Sequence, residues 1–217
     1  MNVIKQSVSL ENLRFYEEEI IRFIEKAART CYKSEDKIDS LDAAKKLLSN
    51  IFTDGHLSVF EHFSITGCFI TSRGVTHELV RHRIAAYSQE STRFCNYVKD
   101  KFGGEITVIL PVDFYDAFEG KKDSDINSFK VWHDAMCNAD ETYQELIARG
   151  NKPQIARGVL PIDLKTEIVV TMNIRQWWHV FNLRLNPKAH PQMVDLMNQW
   201  WELLSRNMPF FFGEIQG

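Results

Sequence analysis

LKTEIVVTMNIRQWWHVFNLR, residues 164–184, is the stretch on which the fold reading turns. Residues 164–172 are rich in β-branched side chains and read as a strand. The next segment reads as a helix at about residues 174–184. On that helix Arg175, His179 and Asn182 follow i, i+4, i+7 and share one face, while Trp177, Trp178 and Phe181 fill much of the rest. A polar stripe with such bulky neighbours is costly unless something occupies it. Arg184 lies roughly opposite Arg175, so the two serve different ligands or different subunits.

Outward from this pair, residues 190–206 form a helix, 152–158 a short one, and 126–149 a long one stopped by Gly150. Residues 63–71, FSITGCFIT, alternate and give a second strand, followed by a short helix at about 75–83. Ser40 is a candidate N-cap for a helix to Phe52, ended by Asp54-Gly55. Leu13–Tyr32 reads as an amphipathic helix through Ile20, Ile21, Phe23, Ile24, Ala27 and Ala28, and residues 2–9 as a short edge strand. Residues 99–128, with FGGE, the strand-like ITVIL and the charged run EGKKDSD, read as a solvated excursion. Helices dominate, there is no repeat or linker, and the expectation is one α+β domain over 1–217.

The 217 residues are 44% hydrophobic and 25% charged, an ordinary globular composition, and the net charge of −3 argues for no particular partner. A dedicated nucleic-acid binder would be basic overall or carry a basic stripe. Cys31, Cys68, Cys95 and Cys137 are scattered, with no CxxC pair and no signal peptide, which reads as reduced thiols in a cytoplasmic protein. No run approaches the ~18 apolar residues of a membrane span.

The sharpest local feature is Arg81-His82-Arg83-Ile84-Ala85-Ala86-Tyr87-Ser88-Gln89-Glu90-Ser91-Thr92-Arg93. Arginine forks suit phosphate or an imide edge, and serine hydroxyls with loop amides complete a phosphate cradle. The bland alternative is a solvated basic face at a helix end, where cations offset the helix dipole. The interleaved Ile84, Ala85, Ala86 and Tyr87 favour a packed loop instead. A zinc site on His77-Glu78-Leu79-Val80-Arg81-His82 fails, because histidines five apart lie about 140° from each other around a helix. No metal is expected. Upstream stands Gly55-His56-Leu57-Ser58-Val59-Phe60-Glu61-His62. Downstream, Ala156-Arg157-Gly158-Val159-Leu160-Pro161 puts an arginine inside an apolar run, where burial would call for an anionic partner, in protein or ligand.

Together these segments resemble one family, the flavin-dependent thymidylate synthases. Arg81-His82-Arg83, seven residues, then Ser91 matches its RHR-x7-S signature, with Arg93 two residues on. His56-x-Ser58-x-Phe60-Glu61-His62 is similar to its H-x-(S/T)-x-F-E-H segment. Ala156-Arg157-x-Val159-Leu160-Pro161, Asn173-x-Arg175 through Asn182-Leu183-Arg184, and Ala27-Ala28-Arg29 resemble further blocks in the same order. One short signature can arise by chance; this ordered set does not.

The resemblance implies helices packed on a small, mainly antiparallel sheet, in a homotetramer with FAD between subunits. It implies methylation of dUMP to dTMP, with 5,10-methylenetetrahydrofolate giving the carbon, NADPH reducing the flavin, and no enzyme nucleophile. Carried over by position, Ser58, Glu61, Arg81, His82, Arg83, Gln89, Asn173, Arg175, His179 and His190 bind FAD. Glu78, Arg81, Gln89, Glu90, Ser91, Thr92, Arg93, Arg157 and Arg184 hold dUMP. Arg184 favours ionisation at N3 of the uracil, and His56 lies near flavin and folate. Ser91 reads as a ligand to dUMP. Three positions depart from the pattern: Gln89 stands where many members have glutamate, Glu78 where glutamine is frequent, and His179 where asparagine is found. The rival readings are a nucleic-acid module, opposed by the near-neutral charge, and a related flavin or nucleotide enzyme without methyl transfer.

Overall fold

Strand Lys165–Asn173 runs directly into helix Ile174–Arg184, and Asn173 makes the break by accepting from the Gln176 amide at 2.8 Å. A computed structural model describes residues 1–11, 16–121 and 124–216. Its strands and helices, in chain order, begin with β1 (Asn2–Ile4), β2 (Ser7–Leu10), α1 (Glu17–Thr30), α2 (Leu41–Thr53), β3 (Ser64–Ser72) and α3 (Arg73–Leu79). There follow β4 (Ala86–Gln89), β5 (Thr107–Ile109), α4 (Tyr115–Phe118), α5 (Ile126–Ala148) and α6 (Pro153–Ala156). The chain closes with β6 (Lys165–Asn173), α7 (Ile174–Arg184), α8 (Pro191–Asn207) and α9 (Pro209–Phe212). A 3-10 turn at Leu57–His62 carries several candidate residues.

Local chemistry explains most of the boundaries. Ser40 caps α2, accepting from Ala43 N at 3.2 Å, and Gly55 at φ +76° turns the chain out of it. Asp125 caps α5 from Ser128 N at 3.0 Å. Ser72 caps α3, which ends at Leu79 and not near residue 83, so Arg81-His82-Arg83 lies beyond the helix. The start expected for α1, at Leu13, lies outside the described residues.

The fold is α+β, helices packed with a small, mainly antiparallel sheet of order β2-β3-β6-β4. β1 pairs instead with β5, in parallel. The expected single edge strand at 2–9 is therefore two strands in two sheets. Between them Gln6 is buried and accepts from the Thr71 hydroxyl at 2.9 Å.

The described residues form two compact units. One comprises residues 1–7, 69–81 and 88–168; the other holds 8–68, 82–87 and the chain from Val169 onward. In the first, Tyr97, Ile106, Val108, Tyr143, Ala156 and Leu164 make a buried cluster. Buried Asp140 accepts from Ile106 N at 3.1 Å. This corrects the reading of 99–128 as a solvated excursion, because Ile106, Val108, Ile109 and Leu110 are at most 1% exposed. Parallel strands bury both faces, so the run lacks the alternation that would have marked it. Within that excursion, Lys122 and Asp123 lie outside the described residues.

The second unit is held by aromatic rings. Phe60 packs against Phe52 at 6.4 Å, Trp178 at 4.9 Å and Phe211 at 6.4 Å. Trp177 meets Trp200 edge-on at 5.3 Å. The indoles of Trp177 and Trp178 donate to the carbonyls of Ile65 at 3.2 Å and Phe211 at 2.9 Å. Each fully buried ring of this kind contributes about 1.5–3 kcal/mol over exposure. The cluster seats the Leu57–His62 turn on α7, and so fixes where both present their polar residues. Arg29 of the Ala27-Ala28-Arg29 block is also structural: it is buried on α1 and pairs with Glu25 at 2.8 Å. No described helix is long and apolar enough to cross a membrane.

Candidate active site

The signature segment does not form a uniform basic face. Arg81 and Arg83 are exposed, while His82 between them is only 6% exposed. Arg184, at the C-terminal end of α7, donates from Nε to His82 Nε2 at 3.0 Å. The Tyr87 hydroxyl donates to the His82 carbonyl at 2.7 Å. The His179 ring stands perpendicular to that of His82, with centroids 6.2 Å apart. Burial, then the Arg184 charge, then His179, pull the His82 pKa down to about 4, so its imidazole is neutral near pH 7. Burial pushes the Tyr87 hydroxyl up to about 12.

The polar stripe of α7 is realised. Arg175, His179 and Asn182 are exposed, and Trp177, Trp178 and Phe181 are buried. Arg175 pairs with Glu61 at 2.5 Å. Glu61, Ile84, Asn173, Arg175, Gln176 and His179 line a cavity of about 330 Å³ within the second unit. Four of the ten flavin candidates (Glu61, Asn173, Arg175 and His179) thus share one cavity. Asn173 also caps α7 with its side-chain oxygen, so its amide nitrogen is what remains for a ligand. Ser58 and His56 are exposed on and beside the Leu57–His62 turn, His56 as the residue that opens it. His190 caps α8 through Nδ1, accepting from Gln192 N at 3.2 Å.

In the first unit, Thr92 is buried and accepts from Arg157 Nη1 at 3.3 Å. Arg157 itself is exposed, which corrects the expectation of a buried arginine. It sits at the head of a short 3-10 turn, Arg157–Val159, and points outward while Ala156 alone is buried. Ser91 Oγ accepts from Arg93 N at 3.3 Å, and Arg93 stacks its exposed guanidinium over Phe94 at 5.4 Å. Glu78 is half-buried on α3.

Gln89 and Glu90 face the protein. Gln89 donates to Thr76 at 2.9 Å and Thr166 at 3.2 Å. Glu90 accepts from Tyr97 at 2.9 Å and Lys165 at 3.0 Å, and its carbonyl from Arg73 at 2.7 Å. These bonds anchor the chain on which Ser91, Thr92 and Arg93 follow. Tyr87, Tyr97, Lys165 and Arg73 were missed in the sequence. Only Tyr87 carried a signal, as the one aromatic inside the signature.

The candidates divide by unit. Ser58, Glu61, His82, Arg83, Asn173, Arg175, His179 and His190 belong to the second, with His56 and Arg184; Arg81, Glu78, Arg157 and Gln89 through Arg93 belong to the first. His77 is exposed on α3 and His82 lies past its end. Among the described residues no three or more His, Cys, Asp or Glu side chains are grouped to hold a metal ion.

The family model of thymidylate synthase complementing proteins matches residues 13–210. A flavin-dependent thymidylate synthase of Pyrococcus furiosus is 38% identical over 176 residues, which are 79% of this chain and 65% of that protein. One of Geobacter sulfurreducens is 34% identical over 193 residues, 86% of this chain and 78% of its own length. Against the Pyrococcus furiosus and Pyrococcus abyssi proteins the chain thus spans just under two thirds of the relative, 65% in each case. In structure it is similar to the UMP/dUMP methylase PolB from Streptomyces cacaoi, solved bound with 5-Br dUMP. The TM-score is 0.80 with 24% identity, over 99% of this chain and 96% of that one, a likeness of fold. The motif blocks, the fold and a family match running almost the whole length agree: the chain belongs to the thymidylate synthase complementing protein family.

Proposed function

We propose that the protein is a flavin-dependent thymidylate synthase that converts dUMP to dTMP. The overall reaction is dUMP + 5,10-methylenetetrahydrofolate + NADPH + H⁺ → dTMP + tetrahydrofolate + NADP⁺. Uracil C5 exchanges a proton for the methylene carbon, and a hydride completes the methyl group. The working form in this reading is a cytoplasmic homotetramer with FAD at subunit interfaces, and nucleic acid has no part in it. The observation that carries the reading is the Arg184–His82 hydrogen bond. It ties the signature segment to the helix bearing the candidate catalytic arginine, inside one unit.

The chemistry of the donors suits a flavin dinucleotide. Arg175 offers a planar fork to phosphate, Asn173 and His179 offer hydrogen bonds beside it, and Ile84 gives the same cavity an apolar wall. When bound, FAD supplies the hydride. The resemblance assigns Ser58, Glu61, Asn173, Arg175, His179 and His190, with Arg81, His82, Arg83 and Gln89, to hold it, although the Nε2 of His82 is already engaged by Arg184. Glu61 would release Arg175 to the cofactor.

For the nucleotide, Arg81, Arg93 and Arg157 neutralise phosphate, and Ser91 and Thr92 donate hydroxyls. Gln89 and Glu90 hold that loop in place, and Glu78 accepts from ribose or base. Arg184 stabilises negative charge as it develops on the uracil at N3, which activates the ring. His56 stands by flavin and folate. Ser91 serves as a ligand, and no enzyme nucleophile is required.

The test is turnover. Protein supplied with FAD, NADPH, methylenetetrahydrofolate and dUMP is expected to form dTMP, detected by chromatography. Flavin reduction without dTMP under these conditions would instead mark a related flavin enzyme without methyl transfer.

A further inference from the structure

Family resemblance gives His82 to the flavin, yet its ring is engaged elsewhere. We propose that His82 is a positioning residue for Arg184: its Nε2 lone pair accepts the Arg184 Nε hydrogen and fixes the plane of the guanidinium, while Tyr87, bonded to the His82 carbonyl, fixes the histidine. The proposal rests on the reading of Arg184 as the arginine that faces uracil, but the hydrogen bond at its centre can be read without turnover.

The chemistry leaves one assignment for the ring. Arginine cannot accept a hydrogen bond, so Nε2 is the acceptor and the ring proton sits on Nδ1. At 3.0 Å the contact has ordinary hydrogen-bond length, and His82 is buried enough to shield it from water. A guanidinium is rigid and planar, so holding its Nε–H orients the whole fork. Removing that hold releases the Nε end of the guanidinium, and the orientation that polarises the ring is less tightly set.

The support beneath the imidazole is equally specific. His82 has no helix to hold its backbone, since α3 ends at Leu79. Tyr87 closes the residues between them into a loop by its 2.7 Å bond to the His82 carbonyl. His179, on the same helix as Arg184, braces the His82 ring edge-on. The low pKa of His82, near 4, keeps the accepting lone pair available across the working range. The middle residue of the signature therefore acts through Arg184, and Tyr87 acts through His82.

Two measurements on the FAD-loaded protein test this. The first is the ¹⁵N spectrum of arginine Nε–H groups, with the Arg184 signal identified by its loss in Arg184→Lys. A slowly exchanging Arg184 signal is expected in the wild type and in His82→Gln, whose amide oxygen can accept, but not in His82→Leu. An Arg184 signal that exchanges equally fast in all three overturns the proposal, whether or not the protein methylates dUMP.

The second is a kinetic cycle. His82→Leu is expected to lower kcat about 10- to 100-fold with flavin content and KM for dUMP changed far less. His82→Gln should recover most of the loss, and Tyr87→Phe should fall between. His82→Leu placed on Arg184→Ala should add little, because His82 acts only through Arg184. Fully additive losses, or a His82→Leu protein that sheds FAD while each bound flavin turns over normally, would make His82 an independent flavin ligand and overturn the proposal. A wild type that forms no dTMP would defeat the functional reading alone, since the Nε–H spectrum still decides the role of His82.

Discussion

An imidazole held neutral inside the fold makes the protein acid-sensitive at a definable point. An ordinary histidine titrates near 6.5, whereas folded His82 is held to about 4 by burial, by Arg184 and by His179. The native pKa is depressed, so the unfolded chain binds the extra proton. The stabilisation is complete above about pH 6.5 and is lost as pH falls through the native value. Linkage over that window gives a loss of about 2 kcal/mol by pH 5 and about 3 kcal/mol by pH 4. Urea unfolding of wild type and His82→Gln, at matched protein concentration and from about pH 7.5 to pH 4, isolates this contribution. The carboxylates titrate alike in both proteins, so their difference in stability carries the His82 term. The stability of the wild type relative to the variant should decline by those amounts. A difference that stays constant to within about 0.5 kcal/mol would show that His82 titrates normally in the folded state and would refute the reasoning.

Other consequences follow from the same geometry. Arg184→Ala should keep FAD but lose dTMP formation by about 10²–10³-fold, as when a preorganised donor to developing charge is removed; normal turnover would contradict its role. Arg175→Ala should weaken flavin retention about 10- to 100-fold, the worth of a charge-assisted hydrogen bond, as read by dialysis against low FAD. Gln89→Glu should destabilise by about 1–3 kcal/mol, measured by urea unfolding. The Thr76 hydroxyl proton already goes to the Arg73 carbonyl, so a carboxylate at 89 would face an oxygen that cannot donate to it.

Much of this architecture is legible in the residues. The helix at 174–184 is found at its expected bounds, where the structure shows Asn173 capping it, and Ser40 and Asp54-Gly55 mark the ends of α2 as the sequence indicates. β4 was not legible. Its Ala86-Tyr87-Ser88-Gln89 has weak strand propensity, and it forms as the terminal member of the sheet order, where pairing supplies what propensity does not. The same strand explains the limits of motif reading at the site. RHR-x7-S names the residues, but alternation along β4 decides that Gln89 faces Thr76 and Thr166 while Ser88 is exposed. Arg157 misled for a related reason: its apolar neighbours suggested burial, but a 3-10 turn brings it to the outside. Tyr97, Lys165 and Arg73 reach Glu90 from other parts of the first unit, and no local pattern could have announced them.

The most direct test of the central claim, a flavin protein acting on dUMP, is the visible spectrum of the purified protein titrated with dUMP. The account predicts flavin bands, present as isolated or after adding FAD, that shift as dUMP binds beside the isoalloxazine. A protein that takes up no FAD would contradict it.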